Sequence, residues 1–139
     1  MGSPVIVADT NLIVCTLLDG PHRAAAEAVV VRDSAWAAPR LWRSEFRNVL
    51  VQYCWEGSLS LSDCLGLVAR AEQLLGDRQY NVPTFDVISL AAGSRRSAYD
   101  CELVALARVL SVPLVTCDRR LAAAFPGTAM TLEEFVGGA

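Results

Sequence analysis

Apolar positions along the chain fall into two alternating patterns. Val5-Ile6-Val7-Ala8 and Val112-Pro113-Leu114-Val115-Thr116-Cys117 are short, nearly unbroken apolar runs rich in β-branched residues. That is the signature of strands buried on both faces of a parallel sheet. From Trp42 to Tyr53 the pattern changes: Trp42, Phe46, Val49, Leu50 and Tyr53 make one stripe at about 100° per residue, as on an amphipathic helix. Further helices are expected from Leu12 to Leu18 and over the alanine-rich Pro21 to Arg32. Another follows a cap at Ser60 or Ser62, with Leu65, Val68, Ala71, Leu74 and Leu75 inward, and the next spans Phe85 to Ala92, with Ile88 and Ala91 or Ala92 inward. Gly57, Gly76 and Gly93 read as helix stops. Ala35 to Ala38, Tyr80 to Val82 and Ala129-Met130 are shorter strands, and Thr131 to Glu134 is a capping box for a last helical turn. Strands alternating with helices predict a single three-layer α/β domain over residues 1–139, its central sheet mainly parallel and flanked by helices, with Met1 to Pro4 a frayed terminus.

In such a sheet the chemistry lies at the carboxyl ends of the strands. Asp9 follows the first strong strand and Asp118 the second. Asp100 stands in the opening turn of a helix begun by Ser97, and Leu103, Val104 and Ala107 share its face, so its carboxylate is expected toward the core. Glu45 sits at the edge of the Trp42 stripe, and its neighbours three and four positions away, Leu41, Trp42, Asn48 and Val49, include no cation. Three of the acids have an ordinary alternative: Asp9 and Asp100 as helix-initiating residues, Glu45 as a half-exposed flank. Their convergence at one edge has no ordinary alternative. At an effective dielectric near 20, carboxylates ~6 Å apart repel by roughly 3 kcal/mol per pair. Six such pairs approach ~15 kcal/mol, as much as the whole stability of a domain. A cluster of this kind holds cations or protons. Oxygen donors without soft ligands favour Mg²⁺ or Mn²⁺ over zinc, and such ions assist phosphodiester cleavage.

Composition narrows the classes. Apolar residues make up 53% of the 139 without counting glycine, above the ~45–50% of a soluble domain with glycine counted. Apolar surface is therefore expected to remain for a partner. No run reaches the ~18 apolar residues of a membrane span and no basic stretch precedes an apolar one at the N-terminus, so the expected location is cytoplasmic. The five cysteines include no C-x-x-C pair and read as small buried hydrophobes, and the lone histidine, His22, reads as a surface residue. Net charge is −3, which gives no bulk attraction to nucleic acid. All twelve basic residues are arginines, and Arg95, Arg96, Arg119 and Arg120 flank two of the acids. Guanidinium groups in those places suit phosphate contacts, although solvated faces account for them equally well. Trp36, Trp42 and Trp55 are expected in the core rather than stacked on bases.

Four fragments in this order, Asp9-Thr10-Asn11 after an apolar strand, Ser44-Glu45-Phe46 after Ala38-Pro39, Ser97-Ala98-Tyr99-Asp100, and Thr116-Cys117-Asp118-Arg119-Arg120-Leu121, resemble the PIN domain and, within it, the VapC-type toxin ribonucleases of toxin–antitoxin pairs. The resemblance covers nearly the entire chain. It implies a Mg²⁺- or Mn²⁺-dependent endoribonuclease with Asp9, Glu45, Asp100 and Asp118 as its catalytic and metal-holding acids. Asn11 and Thr116 match supporting polar positions. It also implies an RNA substrate, a cognate antitoxin and a homodimer. Cys101 and Cys117 beside the third and fourth acids would be bystanders. A non-catalytic PIN-like module that binds RNA or protein is the competing reading, and its usual mark is a missing acid. A phospho-accepting receiver needs a lysine, which the chain lacks, and a haloacid-dehalogenase-type phosphatase wants aspartate where Asn11 stands.

Overall fold

The computed structural model describes residues 6–137; Met1 to Pro4, expected to fray, lie outside the described residues. The two strong apolar runs pair side by side. Ile6–Ala8 (β1) and Leu114–Thr116 (β4) are fully buried and parallel. Trp36–Pro39 (β2) and Gln79–Tyr80 (β3) extend the sheet on one side of β1, and Ala129–Thr131 (β5) lies beyond β4. The order is β3-β2-β1-β4-β5, with every pairing parallel. The chain starts at the centre, winds out through β2 and β3, then returns to lay β4 on the other side of β1. Strand order thus reverses between β1 and β4, the place where an open parallel sheet leaves a crevice at its carboxyl edge.

Helices cover both faces: α1 (Thr10–Leu17), α2 (Arg23–Arg32), α3 (Trp42–Trp55), α4 (Leu61–Leu75), α5 (Thr84–Ser94), α6 (Ala98–Leu110), α7 (Arg119–Ala124) and α8 (Leu132–Gly137). Alternation along the strands divides the core in two. Ile6, Ala8, Trp36, Ala38 and Val115 pack with α1 to α4 and α8, whereas Val7, Ala37 and Leu114 pack with α5, α6 and α7. Trp36, Trp42 and Phe46 are among the largest buried side chains, and each such burial contributes about 1.5–3 kcal/mol. Three layers around a parallel sheet are as the residue pattern predicts.

Two helices are rotated from their expected faces. On α4 the buried residues are Cys64, Leu67, Ala71 and Leu75, while Leu65 is exposed. Cys64 turns in against Cys54 of α3, their Sγ atoms 3.0 Å apart, and carries the whole stripe with it. On α5 Val87 is buried, Leu90 and Ala91 pack beside it, and Ile88 is exposed. Trp55, expected in the core, is 78% exposed at the end of α3. Gly93 does not end α5 either: the helix continues to Ser94, and Arg95 makes the stop in the left-handed region, at φ 64°.

Candidate active site

Asp9 leaves β1 in extended conformation at the position before α1, and its carboxylate makes no capping hydrogen bond to that helix, although the backbone N–H of Thr10 acts on it to lower its pKa. It accepts instead from the hydroxyl of Thr116, at 2.8 Å, on the neighbouring strand. Thr116 is fully buried and serves as a hub, since its oxygen also accepts from the backbone N–H of Asp118 at 3.0 Å. Asn11 completes the link by accepting from the N–H of Cys117 at 3.1 Å and lying 3.5 Å from the Thr116 hydroxyl. The two supporting residues of the resemblance therefore tie the end of β1 to the end of β4.

Burial pushes the Asp9 carboxyl up to about 6, and the charges of Glu45 and Asp100 push the same way against the Thr116 hydrogen bond. Three acids from β1, α3 and α6 thus sense one another at the carboxyl edge of the sheet. Glu45 is held by Thr10, whose hydroxyl donates to its Oε1 at 2.8 Å. Asp118 joins them at the other end. One of its oxygens caps α7, accepting from the N–H groups of Arg120 and Leu121 at 2.9 and 3.2 Å, and the other lies 3.9 Å from Arg96 Nη2. The same nitrogen donates to Asp100 Oδ2 at 3.1 Å.

This last contact gives Asp100 a local cation, whereas Glu45 has no ion-pair partner within its own helix among the described residues. Arg96 stands one helical turn before Asp100, and the two pair across it. The Ser97 cap does form, with its hydroxyl accepting from the Asp100 N–H at 3.1 Å, yet the Asp100 carboxylate, 29% exposed, is turned to the site. Arg95, Arg119 and Arg120 are exposed. Cys101 is fully buried, and Cys117 is half-buried with its Sγ 3.5 Å from that of Cys15.

Two residues escape the sequence reading. Glu102 lies beyond Glu45, and burial, helped by the Glu45 charge, raises its carboxyl. It lines a cleft of about 350 Å³ with Arg40, Leu41, Tyr80 and Asn81. Arg40 follows β2 directly and so shares the edge that carries Asp9 and Asp118, a signal visible in the residue pattern.

As a donor set the site suits a hard divalent ion, because it offers carboxylates with supporting hydroxyls, and burial leaves Asp9 protonated more readily than an acid meant to stay bare. In the pose described, however, no three His, Cys, Asp or Glu side chains among the described residues form a ready ligand set. Thr116 holds Asp9, Thr10 holds Glu45, and Arg96 stands between Asp100 and Asp118.

Comparison with solved structures agrees with this architecture. PAE2754 from Pyrobaculum aerophilum superposes with a TM-score of 0.76 at 18% identity, covering 98% of this chain and 89% of that one. A toxin–antitoxin complex from Klebsiella pneumoniae gives 0.67 at 18% identity, with 91% and 97% covered. FitAcB from Neisseria gonorrhoeae gives 0.69 at 18% identity, with 92% and 98% covered. No curated protein matches the sequence significantly. The PIN domain family model matches residues 6–125, from β1 through α7 and including all four acids. The chain belongs to the PIN domain family.

Proposed function

We propose that the protein is a Mg²⁺- or Mn²⁺-dependent endoribonuclease, the VapC-type toxin of a toxin–antitoxin pair. The observation that carries this reading is Asp9: a carboxylate raised to about 6 by burial and by the charges of Glu45 and Asp100, with no cation in ion-pair contact among the described residues. Such a group is costly unless a cation or a proton joins it. Asp9, Glu45, Asp100 and Asp118 would hold the ion, oriented by the hydroxyls of Thr116 and Thr10 and by Asn11. The chemistry the ion supplies when bound is easier ionisation of water and neutralisation of charge at the phosphodiester. Asp9, raised only to about 6, is mostly ionised at neutral pH and so available to the ion. Arg119, Arg120, Arg95 and Arg40 stand at the rim, where guanidinium groups pair with RNA phosphates. Exposed Trp55, Leu61 and Leu65 on the adjoining α3 and α4 support an apolar protein partner, whether a second copy in a homodimer or the cognate antitoxin.

RNA cleavage with Mn²⁺ or Mg²⁺ is the test. Cleavage is expected to vanish in excess chelator and in Asp100→Asn, with the fold retained; full activity in either case would refute the reading. The competing reading, a non-catalytic PIN-like binding module, draws support from the pairing of Arg96 with Asp100. RNA binding without cleavage under every metal condition would favour it.

A further inference from the structure

The turn between α5 and α6 separates two adjacent arginines. Arg95 takes a left-handed conformation, φ 64° and ψ 18°, a region that favours glycine. The reversal leaves Arg95 exposed and sends Arg96 inward, where its backbone N–H donates to Ser94 Oγ at 3.2 Å. The Arg96 side chain is 25% exposed. Nη2 donates to Asp100 Oδ2 at 3.1 Å and lies 3.9 Å from Asp118 Oδ2. Nε is buried and has no hydrogen-bond partner among the described residues. Buried guanidinium N–H groups are normally paired. A residue meant only to brace the fold would be expected to use its whole fork, as Arg78 does, with Nε on the carbonyl of Trp36 and Nη2 on that of Leu74. Arg96 instead gives Nη2 to two carboxylates and leaves Nε without a partner among the described residues.

We propose that Arg96 is the resident counter-ion of the acid cluster, standing between Asp100 and Asp118 and competing with the divalent ion for their oxygens. This rests on the metal reading above. Among the described residues Arg96 is the only cation in ion-pair contact with either carboxylate. A divalent ion bound to these oxygens would sit at ~2.0–2.6 Å from them, and Arg96 Nη2, 3.1 and 3.9 Å from the same two atoms, would then face it as a like charge. The partial exposure of Arg96 gives the displaced side chain a path to solvent. The pair is thus a threshold for metal binding written into the chain itself.

The test is the affinity for Mn²⁺, followed by titration calorimetry or by the free-ion signal in electron paramagnetic resonance, without RNA. A unit charge removed ~6 Å from a dication changes its affinity about tenfold even at a water-like dielectric. Arg96→Gln is therefore expected to bind Mn²⁺ about tenfold more tightly than the natural protein, and Arg96→Lys, which keeps the charge, within about threefold. Arg95→Gln, which removes an equal charge from the exposed neighbour, is expected to change affinity less than about threefold. Equal or weaker binding by Arg96→Gln overturns the proposal while leaving the metal site standing; no binding by either protein overturns the metal reading and the proposal with it. Should Arg96→Gln fail to fold, the natural protein supplies the readout. Added Mg²⁺ is expected to shift the Arg96 Nε–H resonance and leave that of Arg78 in place, and an unmoved Arg96 signal contradicts displacement.

Discussion

The β1–α1 and β4–α7 turns are built alike and used differently. In each, a buried parallel strand is followed within two residues by an aspartate at the position before a helix. Asp118 spends one oxygen on the free amides of α7, as helix-capping residues do. Asp9 makes no such capping bond; its carboxylate is held by Thr116 from the neighbouring strand and rises to about 6. The difference shows that position before a helix does not define an acid's work. Where the helix takes the carboxylate, the acid is a structural part with one oxygen to spare. Where a third element holds it away from the amides, the protein sustains a cost in stability, and that cost is a mark of function.

The largest expected effect is a split at Asp9. Asp9→Asn is expected to lower metal-dependent RNA cleavage by about 10²-fold or more, yet to stabilise the metal-free protein at pH 7 by up to about 3 kcal/mol, because the strained charge is gone. Asp118→Asn is expected to reduce cleavage with little gain in stability, since asparagine caps nearly as well. Cleavage rates beside urea unfolding in chelator check both, and a destabilised Asp9→Asn would erase the contrast.

Dependence on pH follows from the same carboxyl. The unfolded chain releases the Asp9 proton near its ordinary 3.8, and the folded chain holds it to about 6. Between those values the folded state binds more protons, so this group's contribution to stability falls as pH rises through about 4 to 6. Comparing unfolding midpoints of the natural protein and Asp9→Asn across pH 4 to 7 isolates it. The expected gap is absent at pH 4 and full above pH 6, and saturating Mn²⁺ is expected to reverse its sign at pH 7.

Smaller effects come from the hydroxyls. Thr116→Val removes the bond to Asp9 and leaves the N–H of Asp118 without its acceptor, so it is expected to cost about 1–3 kcal/mol and to raise the Asp9 carboxyl further. Thr10→Val, which frees only Glu45, is expected to cost about 0.5–1.5 kcal/mol. Thermal unfolding of the two variants orders them, and equal losses would deny Thr116 its place as the hub.

The strands and the α3 stripe were legible because β-branched runs and a 3.6-residue repeat leave few alternatives. Asp9 and Asp118 were legible as strand-end acids, though not which of them caps its helix, because that choice is made by Thr116 more than a hundred positions away. The faces of α4 and α5 were misread where each helix has apolar residues on two sides: Leu65 and Ile88 look as good as Leu67 and Leu90 until the Cys54–Cys64 contact and the neighbouring helix select one. The pairing of Arg96 with Asp100 was available from their spacing of four, but reading Asp100 only toward its own helix hid it. Glu102 required the approach of α3 to α6, which no local pattern carries.

That carboxylates from four separate elements share a divalent ion is the central claim, and anomalous diffraction from crystals grown with Mn²⁺ tests it most directly. The account predicts a manganese peak about 2.0–2.3 Å from oxygens of Asp9 and of at least two of Glu45, Asp100 and Asp118, with the Arg96 guanidinium moved off Asp100. Saturating Mn²⁺ with no peak at that edge, and Arg96 still bound to Asp100, would contradict it.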